Sequence, residues 1–490
     1  MENLLDTDST LAAAAAIPPL WEHQRQAIER ATNRFALFFD PGCGKSRTVI
    51  EIWRKANPLP AKTIIFTPLN VCRNWENELK LYAGCDYSVY VVAGQSRVKK
   101  IAMLTAFVSH TGPMPAFLIC NIETLRKLEY RHYLTASKSS FLILDESHNF
   151  KSPDSHQTKG LLVLIRLTKP THLYLLTGTP CPQGEIDLYT TFLLLGKVTE
   201  NFFMWRKRYF NDKNEARRGG KNYWPEYVVT PAGKAQLRDL LQECSMSAKK
   251  DLVLDLPELV RTNLYAEMSP AQKKCYESMK EYLFAIDHEG NELNATNMLT
   301  RTLRLQQILA GFLGDVEISH EVRVGGLGWR VQRNNRLVAL GDAIALMDGA
   351  QFIVWTIFKA TYGQIGKLLS DKNISFGLLT GEQTAQERFR NMEDFQAGKL
   401  RALVSHPRAG GVGVNLTAAS FSVHYTRSYN LVDDLQSEAR SYRGGSERHK
   451  RITRIDIITP ETVDEDIAEA LRAKKSVQDF ILVLKAQHGK

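Results

Sequence analysis

The segment FFDPGCGKS lies between a run of apolar residues and a stretch with helical periodicity. Gly42 and Gly44 would let backbone N–H groups and the N-terminus of the following helix surround phosphate oxygens. Lys45 would then reach the β- and γ-phosphates of a nucleotide, and the hydroxyl of Ser46 would hold magnesium. The segment therefore predicts a phosphate-binding loop.

Two acidic residues, Asp145 and Glu146, end the apolar run of LILDESHNF. The carboxyl ends of parallel strands face the ligand crevice, so Asp145 could anchor magnesium through water and Glu146 could orient and deprotonate an attacking water. His148 follows in the same segment, and LLTGTP places Thr177 and Thr179 after the next apolar run. We expect the threonine hydroxyls to hydrogen-bond toward the acidic pair and report the nucleotide state. A simple Thr-Gly-Pro turn is the alternative.

A third set of polar residues lies near the C-terminus, in LQSEARSYRGG. Gln436, Arg440 and Arg443 are spaced i, i+4 and i+7, which predicts that they share one face of a helix. Two guanidinium groups so placed could stabilise the charge that grows on a phosphoryl group during its transfer. A solvated basic helix face is the alternative when this segment is taken alone.

Short apolar runs alternate with amphipathic stretches over the first 180 residues. Such runs are typical of parallel strands that are covered on both faces. The predicted strands are 35–39, 63–67, 89–92, 117–121, 141–145 and 173–177, with helices over 70–82 and 155–167. This βαβ pattern predicts a parallel sheet wrapped by helices.

A second alternating block begins near residue 335 and predicts another lobe of the same type. Its strands are predicted at 352–356, 376–379, 402–405, 422–425 and 454–458, and its helices at 360–371, 384–397, 431–442 and 463–485. In the aromatic and basic middle, helices are predicted over 231–250 and 268–310, and a hairpin or loop over 325–330. We expect a leader (1–16), a first lobe (17–195), helical insertions with a linker (196–334) and a second lobe (335–490).

Composition limits the partners and the location of the chain. Its 490 residues exceed what one hydrophobic core supports. No apolar run reaches the roughly 18–20 residues of a membrane span, and no positive charge precedes the N-terminal alanine run as a secretory signal requires. The net charge of +10 favours a polyanionic partner. Seven scattered cysteines without metal-ligand spacing indicate a reducing compartment, the cytoplasm.

Taken in order, these segments resemble the motifs of the Swi/Snf-type superfamily-two helicase-like ATPases, over residues 17–480. PPLWEHQRQAI resembles the adenine-recognising motif, with Gln24 as its glutamine. IIFTPLNVCRNWENEL and FLICNIETL resemble nucleic-acid motifs, and SMSAKKDLVLDLPE resembles the basic segment that joins the lobes. GGVGVNLTAAS and the QxxxRxxR spacing complete the set. DESH with TGTPCPQGEIDLYT is similar to the annealing-helicase or fork-remodelling branch.

The resemblance implies an α/β fold of two RecA-like parallel-sheet lobes in tandem, with helical insertions, that uses ATP and Mg²⁺ to move on double-stranded or branched DNA. The catalytic residues would be Lys45, Asp145, Glu146, Arg440 and Arg443, with Ser46 and Asp145 as magnesium ligands. Nucleotide contacts are expected from Gln24, Gly42, Cys43, Gly44, Lys45, Ser46, Arg47, Gly413 and Gln436. DNA contacts are expected from Arg73, Trp75, Asn121, Arg206, Lys207, Arg217, Arg218, Arg408 and Asn415.

The sequence departs from the pattern of that family in three places. Phe38 and Phe39 stand where small or acidic residues precede the phosphate loop, Gly444 begins a Gly-Gly-Ser where the family has Ile-Gly-Gln, and Tyr429 replaces a tryptophan. The first two departures adjoin the nucleotide site, so they bear on the rate of turnover more than on activity itself.

Three other functions compete with a DNA translocase. They are a strand-separating helicase, a binding module that uses ATP only as a switch or not at all, and the motor subunit of a restriction or defence complex. The sequence shows no wedge domain, which favours translocation over strand separation. It also shows no methyltransferase motif or nuclease cluster, so a defence role would require partner chains. Small size without a chromatin-reader or zinc module favours a bacterial or bacteriophage protein that acts in the bacterial cytoplasm.

Overall fold

The computed structural model describes residues 18–56, 58–59, 61–217, 225–288, 295–313, 316–317, 321–323, 329–331, 335–408 and 415–482. Within these residues two parallel sheets form two lobes, each covered by helices. The predicted α/β fold class with two parallel-sheet lobes is thereby confirmed. The predicted leader (1–16) lies outside the described residues.

The first lobe is built on a sheet whose strands all run parallel. The described strands before residue 250 are β1 (Arg34–Phe39), β2 (Lys62–Thr67), β3 (Ser88–Val91), β4 (Ala116–Asn121), β5 (Phe141–Asp145), β6 (His172–Leu176), β7 (Phe210–Asp212), β8 (Tyr227–Val229) and β9 (Ser245–Ala248). Strands β7 and β8 pair as an antiparallel hairpin. The others form one sheet in the order β3-β4-β2-β5-β6-β1-β9.

Both faces of this sheet are covered, which explains the continuous apolar runs in its sequence. In β1, Ala36 and Phe38 belong to one apolar cluster, while Phe35, Leu37 and Phe39 belong to the cluster on the other face. The helices of this half are α1 (Glu22–Arg30), α2 (Lys45–Lys55), α3 (Cys72–Tyr82), α4 (Arg97–Val108), α5 (Leu128–Ala136), α6 (His156–Thr168), α7 (Leu188–Leu194), α8 (Phe202–Tyr209), α9 (Pro231–Cys244) and α10 (Lys250–Val253).

The predicted end of the first lobe at residue 195 is wrong. Strand β9 pairs with β1 at the sheet edge, with Ala36 opposite Ser245 and Phe39 opposite Ala248. Trp205 of α8 is fully buried in the same apolar cluster as the strands. The helix predicted over 231–250 therefore stops at Cys244, and the lobe extends through β9.

The second lobe repeats the parallel architecture. Its described strands are β10 (Glu258–Tyr265), β11 (Phe312–Leu313), β12 (Val316–Glu317), β13 (Glu321–Arg323), β14 (Trp329–Val331), β15 (Phe352–Trp355), β16 (Phe376–Leu379), β17 (Ala402–Ser405), β18 (Phe421–His424) and β19 (Arg451–Ile458). The main sheet has the order β10-β19-β18-β15-β17-β16. The helices are α11 (Pro270–His288), α12 (Ala295–Leu309), α13 (Asn335–Ala345), α14 (Ala360–Asp371), α15 (Ala385–Gln396), α16 (Leu431–Ser441) and α17 (Val463–Leu482).

The start of the second lobe also differs from the prediction. Strand β10 pairs along its whole length with β19, from Glu258 opposite Arg451 to Tyr265 opposite Ile458. This strand was predicted as part of the insertion or linker, because its half-exposed edge position does not produce an apolar run. Strands β13 and β14, which flank the segment predicted as a hairpin or loop over 325–330, pair antiparallel. Residues 324–328 lie outside the described residues. No helix among the described residues is long and apolar enough to span a bilayer.

Candidate active site between the lobes

The phosphate loop joins the end of β1 to the start of α2. Gly42 (φ +92°) and Gly44 (φ +75°) both adopt left-handed backbone conformations, which glycine tolerates best. The Lys45 ammonium donates hydrogen bonds to the carbonyls of Phe39 (2.8 Å) and Asp40 (3.3 Å). The loop therefore folds around its own lysine at a helix N-terminus, which suits it to bind an anion.

Helix α1 packs directly onto this loop. The Gln24 amide donates to the Gly44 carbonyl (3.2 Å) and accepts from the Trp21 backbone N–H (2.9 Å). A Cβ atom on Gly44 would collide with the Gln24 side chain. The ring of His23 hydrogen-bonds through Nε2 to the carbonyl of Cys43 (2.9 Å), which fixes the loop from a second side.

Two other predicted nucleotide contacts have different surroundings. Burial raises the pKa of the Cys43 thiol to about 12, so the thiol stays protonated and acts as an apolar filler. Arg47 lies over the ring of Tyr82 at 4.9 Å and donates to the carbonyls of Pro18 and Pro19. Its position beside the entry of α1 ties the chain before that helix to α2.

The Asp145 carboxylate is held by three donors. It accepts hydrogen bonds from the Thr67 hydroxyl (3.0 Å), the Trp75 indole (2.8 Å) and the Glu146 backbone N–H (2.9 Å). Burial, together with the charge of Glu146, raises the pKa of this carboxyl to about 6. The expected DNA contact from Trp75 is wrong, because this side chain is fully buried beneath the acidic pair.

Glu146 has a left-handed backbone (φ +47°) that a non-glycine residue rarely adopts. Burial opposes ionisation of its carboxyl, but the hydrogen bond and attraction of His148 outweigh burial and leave the pKa lowered. The Glu146 Oε2 and His148 Nδ1 atoms are 3.2 Å apart. A buried, ionised carboxylate on a strained backbone is a suitable general base.

His148 also connects the acidic pair to the strand that follows it. The same Nδ1 atom lies 3.1 Å from the Thr177 hydroxyl and 3.2 Å from the Thr179 hydroxyl. The threonine hydroxyls are predicted to hydrogen-bond toward the acidic pair, and in the structure they contact His148, which in turn contacts Glu146. The contact runs through the imidazole, which makes His148 the link between Glu146 and the two hydroxyls.

The oxygen atoms predicted to ligate magnesium are the hydroxyl oxygen of Ser46 and the carboxylate oxygens of Asp145. Magnesium prefers oxygen ligands and is commonly bound by one or two protein groups together with substrate phosphates. Among the described residues, no group of three or more His, Cys, Asp or Glu side chains could hold a metal ion without such help. The residues present therefore fit a magnesium ion that arrives with a nucleotide.

The second lobe contributes Gln436 and Arg440 from α16. The helix ends at Ser441, and Tyr442 leaves helical geometry with ψ 85°. The prediction that Arg443 shares a helical face with the other two is therefore wrong, because Arg443 lies in the turn beyond the helix. That turn, rather than the helix, directs Arg443 toward the first lobe.

Arg443 faces the phosphate loop across the gap between the lobes. A Cβ atom built on Gly42 would lie 3.3 Å from the Cβ of Arg443 and 3.7 Å from its Nε. This Nε atom is buried and has no hydrogen-bond partner among the described residues. The guanidinium group thus presents an unused donor to the loop that would bind phosphates.

Arg440 is more deeply buried than Arg443. Its Nη2 donates to the Pro407 carbonyl (2.8 Å), its guanidinium lies 5.5 Å from the centre of the Trp355 ring, and its Nη1 is buried without a partner among the described residues. Burial lowers the pKa of Arg440 to about 10, so the group remains cationic near neutral pH. A cavity of about 600 Å³ brings Arg440 and Gln436 together with Glu146 and His148.

The remaining predicted DNA contacts lie in varied environments. Arg73 is exposed, and so is Arg408, which pairs with Asp433 at 2.9 Å on the rim of the same cavity. The expected DNA contact from Asn121 is wrong, because its buried amide is engaged locally with Glu123 and Thr124.

In the middle of the chain, Arg206 lies over the Tyr227 ring at 3.8 Å, and Lys207 is exposed. Asn415 is exposed and accepts from the backbone N–H of Thr417. Arg218 and Gly413 lie outside the described residues, and for Arg217 only the backbone is described. A DNA-contacting surface on the basic segment around Arg206 and Lys207 stays a prediction.

One of the departures from the family pattern has a structural explanation. Phe38 and Phe39 are buried on opposite faces of the first sheet, where they fill its two apolar clusters. In the Gly-Gly-Ser turn, Gly445 (φ +100°) stands where the family also has glycine, and its backbone N–H donates to Glu447. Nothing in the structure explains Gly444. The ring of Tyr429, the third, lines a second cavity of about 630 Å³ between the lobes.

The predictions missed the role of Lys250, which lies between the lobes. This residue follows β9 at the start of α10 and reaches the second lobe, where its Nζ is 3.7 Å from Glu438. Its backbone N–H donates to Asp40 at the start of the phosphate loop (3.2 Å). The only signal in the sequence was the basic segment SMSAKKDL, whose position beside the phosphate loop depends on the unforeseen strand β9.

Comparison with known proteins agrees with this architecture. The family model described as SNF2-related domain matches residues 14–311, and the helicase conserved C-terminal domain matches residues 335–445. The chain is 26% identical to the putative ATP-dependent helicase/translocase YwqA of Bacillus subtilis, over 90% of this chain and 46% of that protein. It is 24% identical to human chromodomain-helicase-DNA-binding protein 1, over 86% of this chain and 24% of that protein.

A similar solved structure is the Sulfolobus solfataricus SWI2/SNF2 ATPase core in complex with dsDNA. It is 21% identical, with a TM-score of 0.41 and coverage of 95% of this chain and 93% of that one. The chain spans about half or less of the length of the curated relatives named above. Because the SNF2-related model matches more than half of its residues, the chain belongs to the SNF2-related family of helicase-like ATPases.

Proposed function

We propose that the chain is an ATP-hydrolysing motor that translocates along DNA. The observation that carries this proposal is a nucleotide pocket divided between two lobes. Lys45 lies in the first lobe, and the second lobe brings Arg440 and Arg443, whose buried Nη1 and Nε donors have no partner among the described residues. Because buried donors are almost always paired, the oxygens of a bound polyphosphate are the expected acceptors.

In the proposed cycle, ATP is held by Gln24 and the phosphate loop. Lys45 exchanges its contacts with the Phe39 and Asp40 carbonyls for phosphate oxygens. Arg443 then stabilises the charge that develops on the transferred phosphoryl group. Since the two walls of the site belong to different lobes, hydrolysis requires their closure, and product release lets them separate.

Glu146 is the proposed general base. Its buried carboxylate would orient the attacking water and accept its proton, while His148 holds the carboxylate in place. Ser46 and Asp145 would hold a magnesium ion, which supplies neutralising charge on the phosphates when bound. His148 would also transmit the state of Glu146 to Thr177 and Thr179.

Double-stranded DNA is the proposed track. The cavities between the lobes are lined by the cationic side chains of Arg126, Lys151, Arg388 and Arg408. Cationic side chains from two lobes could contact phosphates along one duplex, and their alternating release would move the protein along it. The helicase/translocase and helicase-DNA-binding names of the relatives support the same track.

The first test is phosphate release from ATP, measured with and without duplex DNA. We expect duplex to stimulate hydrolysis, and Lys45→Ala and Arg443→Ala each to remove the stimulated activity. Arg472→Ala changes an exposed arginine of the second lobe and should leave the rate unchanged. Stimulated hydrolysis that survives either of the first two changes intact would contradict the proposal.

Translocation and strand separation require a second pair of assays. We propose that the protein displaces a triplex-forming strand without unwinding a forked duplex, as a translocase of the annealing or fork-remodelling type would. Unwinding of the fork would instead favour the strand-separating helicase. Stimulation by duplex, single-stranded, forked and four-way DNA, compared side by side, would establish whether branched DNA is preferred over the simple duplex.

A further inference from the structure

The segment that connects the lobes holds the residue next to Arg443. Lys250 is the first residue of α10, and its charged side chain is only 9% exposed. Its Nζ donates to the Tyr442 carbonyl (3.3 Å) and lies 4.2 Å from the centre of the Tyr442 ring. A lysine of the first lobe therefore contacts both the backbone and the ring of the residue that precedes Arg443.

A second contact reaches the other end of Tyr442. The Tyr442 hydroxyl donates a hydrogen bond to Asp251, and burial together with this carboxylate raises the pKa of the tyrosine to about 12. Two consecutive residues, Lys250 and Asp251, thus hold the backbone carbonyl, the ring and the hydroxyl of Tyr442. We call Lys250, Asp251 and Tyr442 the connector clasp.

The connector clasp is held by contacts in both lobes. On the first lobe, the Lys250 backbone N–H donates to Asp40, which begins the phosphate loop. On the second lobe, the Lys250 ammonium lies 3.7 Å from Glu438, a buried carboxylate that Arg261 and Arg454 also contact. The ammonium is therefore neutralised by an acid on α16, the helix that also carries Arg440.

We propose that Lys250 and Asp251 are positioning residues, which hold Tyr442 so that the turn beyond α16 directs Arg443 at the phosphate loop. This inference rests on the proposed role of Arg443. The chain leaves helical geometry at Tyr442, so nothing in the helix itself fixes the direction of the following residue. Reacting and stabilising groups must be placed to within about 1 Å, and such a displacement can cost roughly 10²-fold in rate.

The test uses the full chain with Lys250→Met, which keeps the length of the side chain and removes its charge, and Asp251→Ala. We expect each to lower kcat for DNA-stimulated hydrolysis roughly 10- to 100-fold, with the KM for ATP within about 2-fold of wild type. Lys55→Ala, an exposed lysine at the end of α2, is the matched control. A loss confined to KM, or wild-type kcat in both variants, would overturn the proposal.

A binding measurement separates positioning from a general structural role. ADP with aluminium fluoride mimics the transferring phosphoryl group, and ADP alone does not. We expect Lys250→Met and Asp251→Ala to weaken binding of the fluoride complex about 10-fold more than binding of ADP. If Lys250→Met lowers thermal stability, Asp251→Ala still decides, because its side chain lies at the exposed surface. Equal weakening of both ligands in Asp251→Ala would overturn the inference.

The double variant distinguishes failure of this inference from failure of the proposed function. If the clasp acts through Arg443, Lys250→Met should weaken the fluoride complex no further in an Arg443→Ala background. An additive loss there would mean that Lys250 acts independently, and the clasp would be wrong while the motor proposal stands. Wild-type hydrolysis by Arg443→Ala alone would instead contradict the proposed function.

Discussion

The two lobes prepare their halves of the active site in different ways. In the first lobe, the functional groups are already satisfied: Lys45 bonds to backbone carbonyls, Asp145 accepts from three donors, and Glu146 contacts His148. In the second lobe, Arg440 and Arg443 each keep a buried donor without a partner among the described residues. One wall of the pocket is complete before ligand binds, and the other is not.

This difference indicates where the free energy of nucleotide binding is used. The first lobe has little to reorganise, because its carboxylates and lysine are preorganised by neighbours in the same lobe. The second lobe carries the cost of two incompletely bonded guanidinium groups, which a polyanion between the lobes would relieve. The nucleotide is thereby expected to favour closure because only the closed arrangement pairs those donors.

The largest expected effect concerns the completed wall. Glu146→Gln keeps the shape of the side chain but removes the proton acceptor, so we expect single-turnover hydrolysis to fall about 10³-fold. Nucleotide affinity should change little, because Lys45 and the phosphate loop remain. Rapid-quench measurement of phosphate formation, with separate titration of ATP binding, checks both expectations. A rate within 10-fold of wild type would show that another group activates the water.

A smaller loss is expected when the incomplete wall is altered. Arg440→Lys keeps the charge but loses the planar group that lies over Trp355 while it donates to Pro407. We expect kcat to fall roughly 10²-fold, since one developing-charge contact is removed. Steady-state hydrolysis checks this, with the exposed Arg472→Lys as control. Full activity in Arg440→Lys would mean that this guanidinium serves the fold of the lobe and not the nucleotide.

The protonation of Asp145 gives a stability effect. Burial raises the pKa of Asp145 to about 6 from an ordinary value of 3.8. The unfolded chain therefore releases this proton at lower pH than the folded chain, so the group costs stability increasingly from pH 4 to pH 6 and by a constant amount above. Between pH 4 and pH 7 the unfolding free energy of Asp145→Asn should therefore rise by ~1–3 kcal/mol relative to that of the wild type. Parallel pH curves for the two proteins would refute this.

The link through His148 should have a more modest effect. His148→Ala removes the contact between Glu146 and the threonines of the next strand, so we expect the ratio of DNA-stimulated to basal hydrolysis to fall about 10-fold. His132→Ala, at an exposed position of α5, is the control. Phosphate release with and without duplex measures the ratio. An unchanged ratio would place the coupling elsewhere.

The smallest expected effect sharpens the contrast most directly. Arg443→Ala removes a buried donor that has no partner among the described residues, so the melting temperature of the nucleotide-free protein should stay within about 2 °C. The rise in melting temperature on addition of ADP with aluminium fluoride should shrink in this variant. A large loss of stability without nucleotide would mean that Arg443 already contributes to a completed wall.

Much of the fold could be predicted because the sheet strands that are buried on both faces are continuous apolar runs. The predicted strands at 376–379 and 402–405 coincide with β16 and β17, and the helix at 360–371 with α14. Two edge strands were not predicted, since β9 consists of the short segment SMSA and the apolar residues of β10 are interrupted by the exposed polar run Arg261–Asn263. Their omission misplaced both boundaries of the middle segment.

The site was predicted unevenly for a related reason. Local spacing was sufficient for the phosphate loop and the acidic pair, whose members lie close together in the chain. Local spacing does not predict contacts between distant segments. The contact of the Trp75 indole with Asp145 and that of the Lys250 ammonium with Glu438 depend on the order of the strands in the sheets. The helical face proposed for Arg443 failed because periodicity alone does not indicate where a helix ends.

The position of β9 has a mechanical consequence. After β6 the chain leaves the first sheet and forms, among other elements, the β7–β8 hairpin. It returns to the sheet at β9, beside β1, the strand that ends in the phosphate loop. A pull on that excursion would therefore load the edge of the sheet directly alongside the nucleotide. The β7–β8 hairpin within it could also change length over evolution at little cost to the catalytic frame, since the chain before and after the hairpin is held in the same lobe.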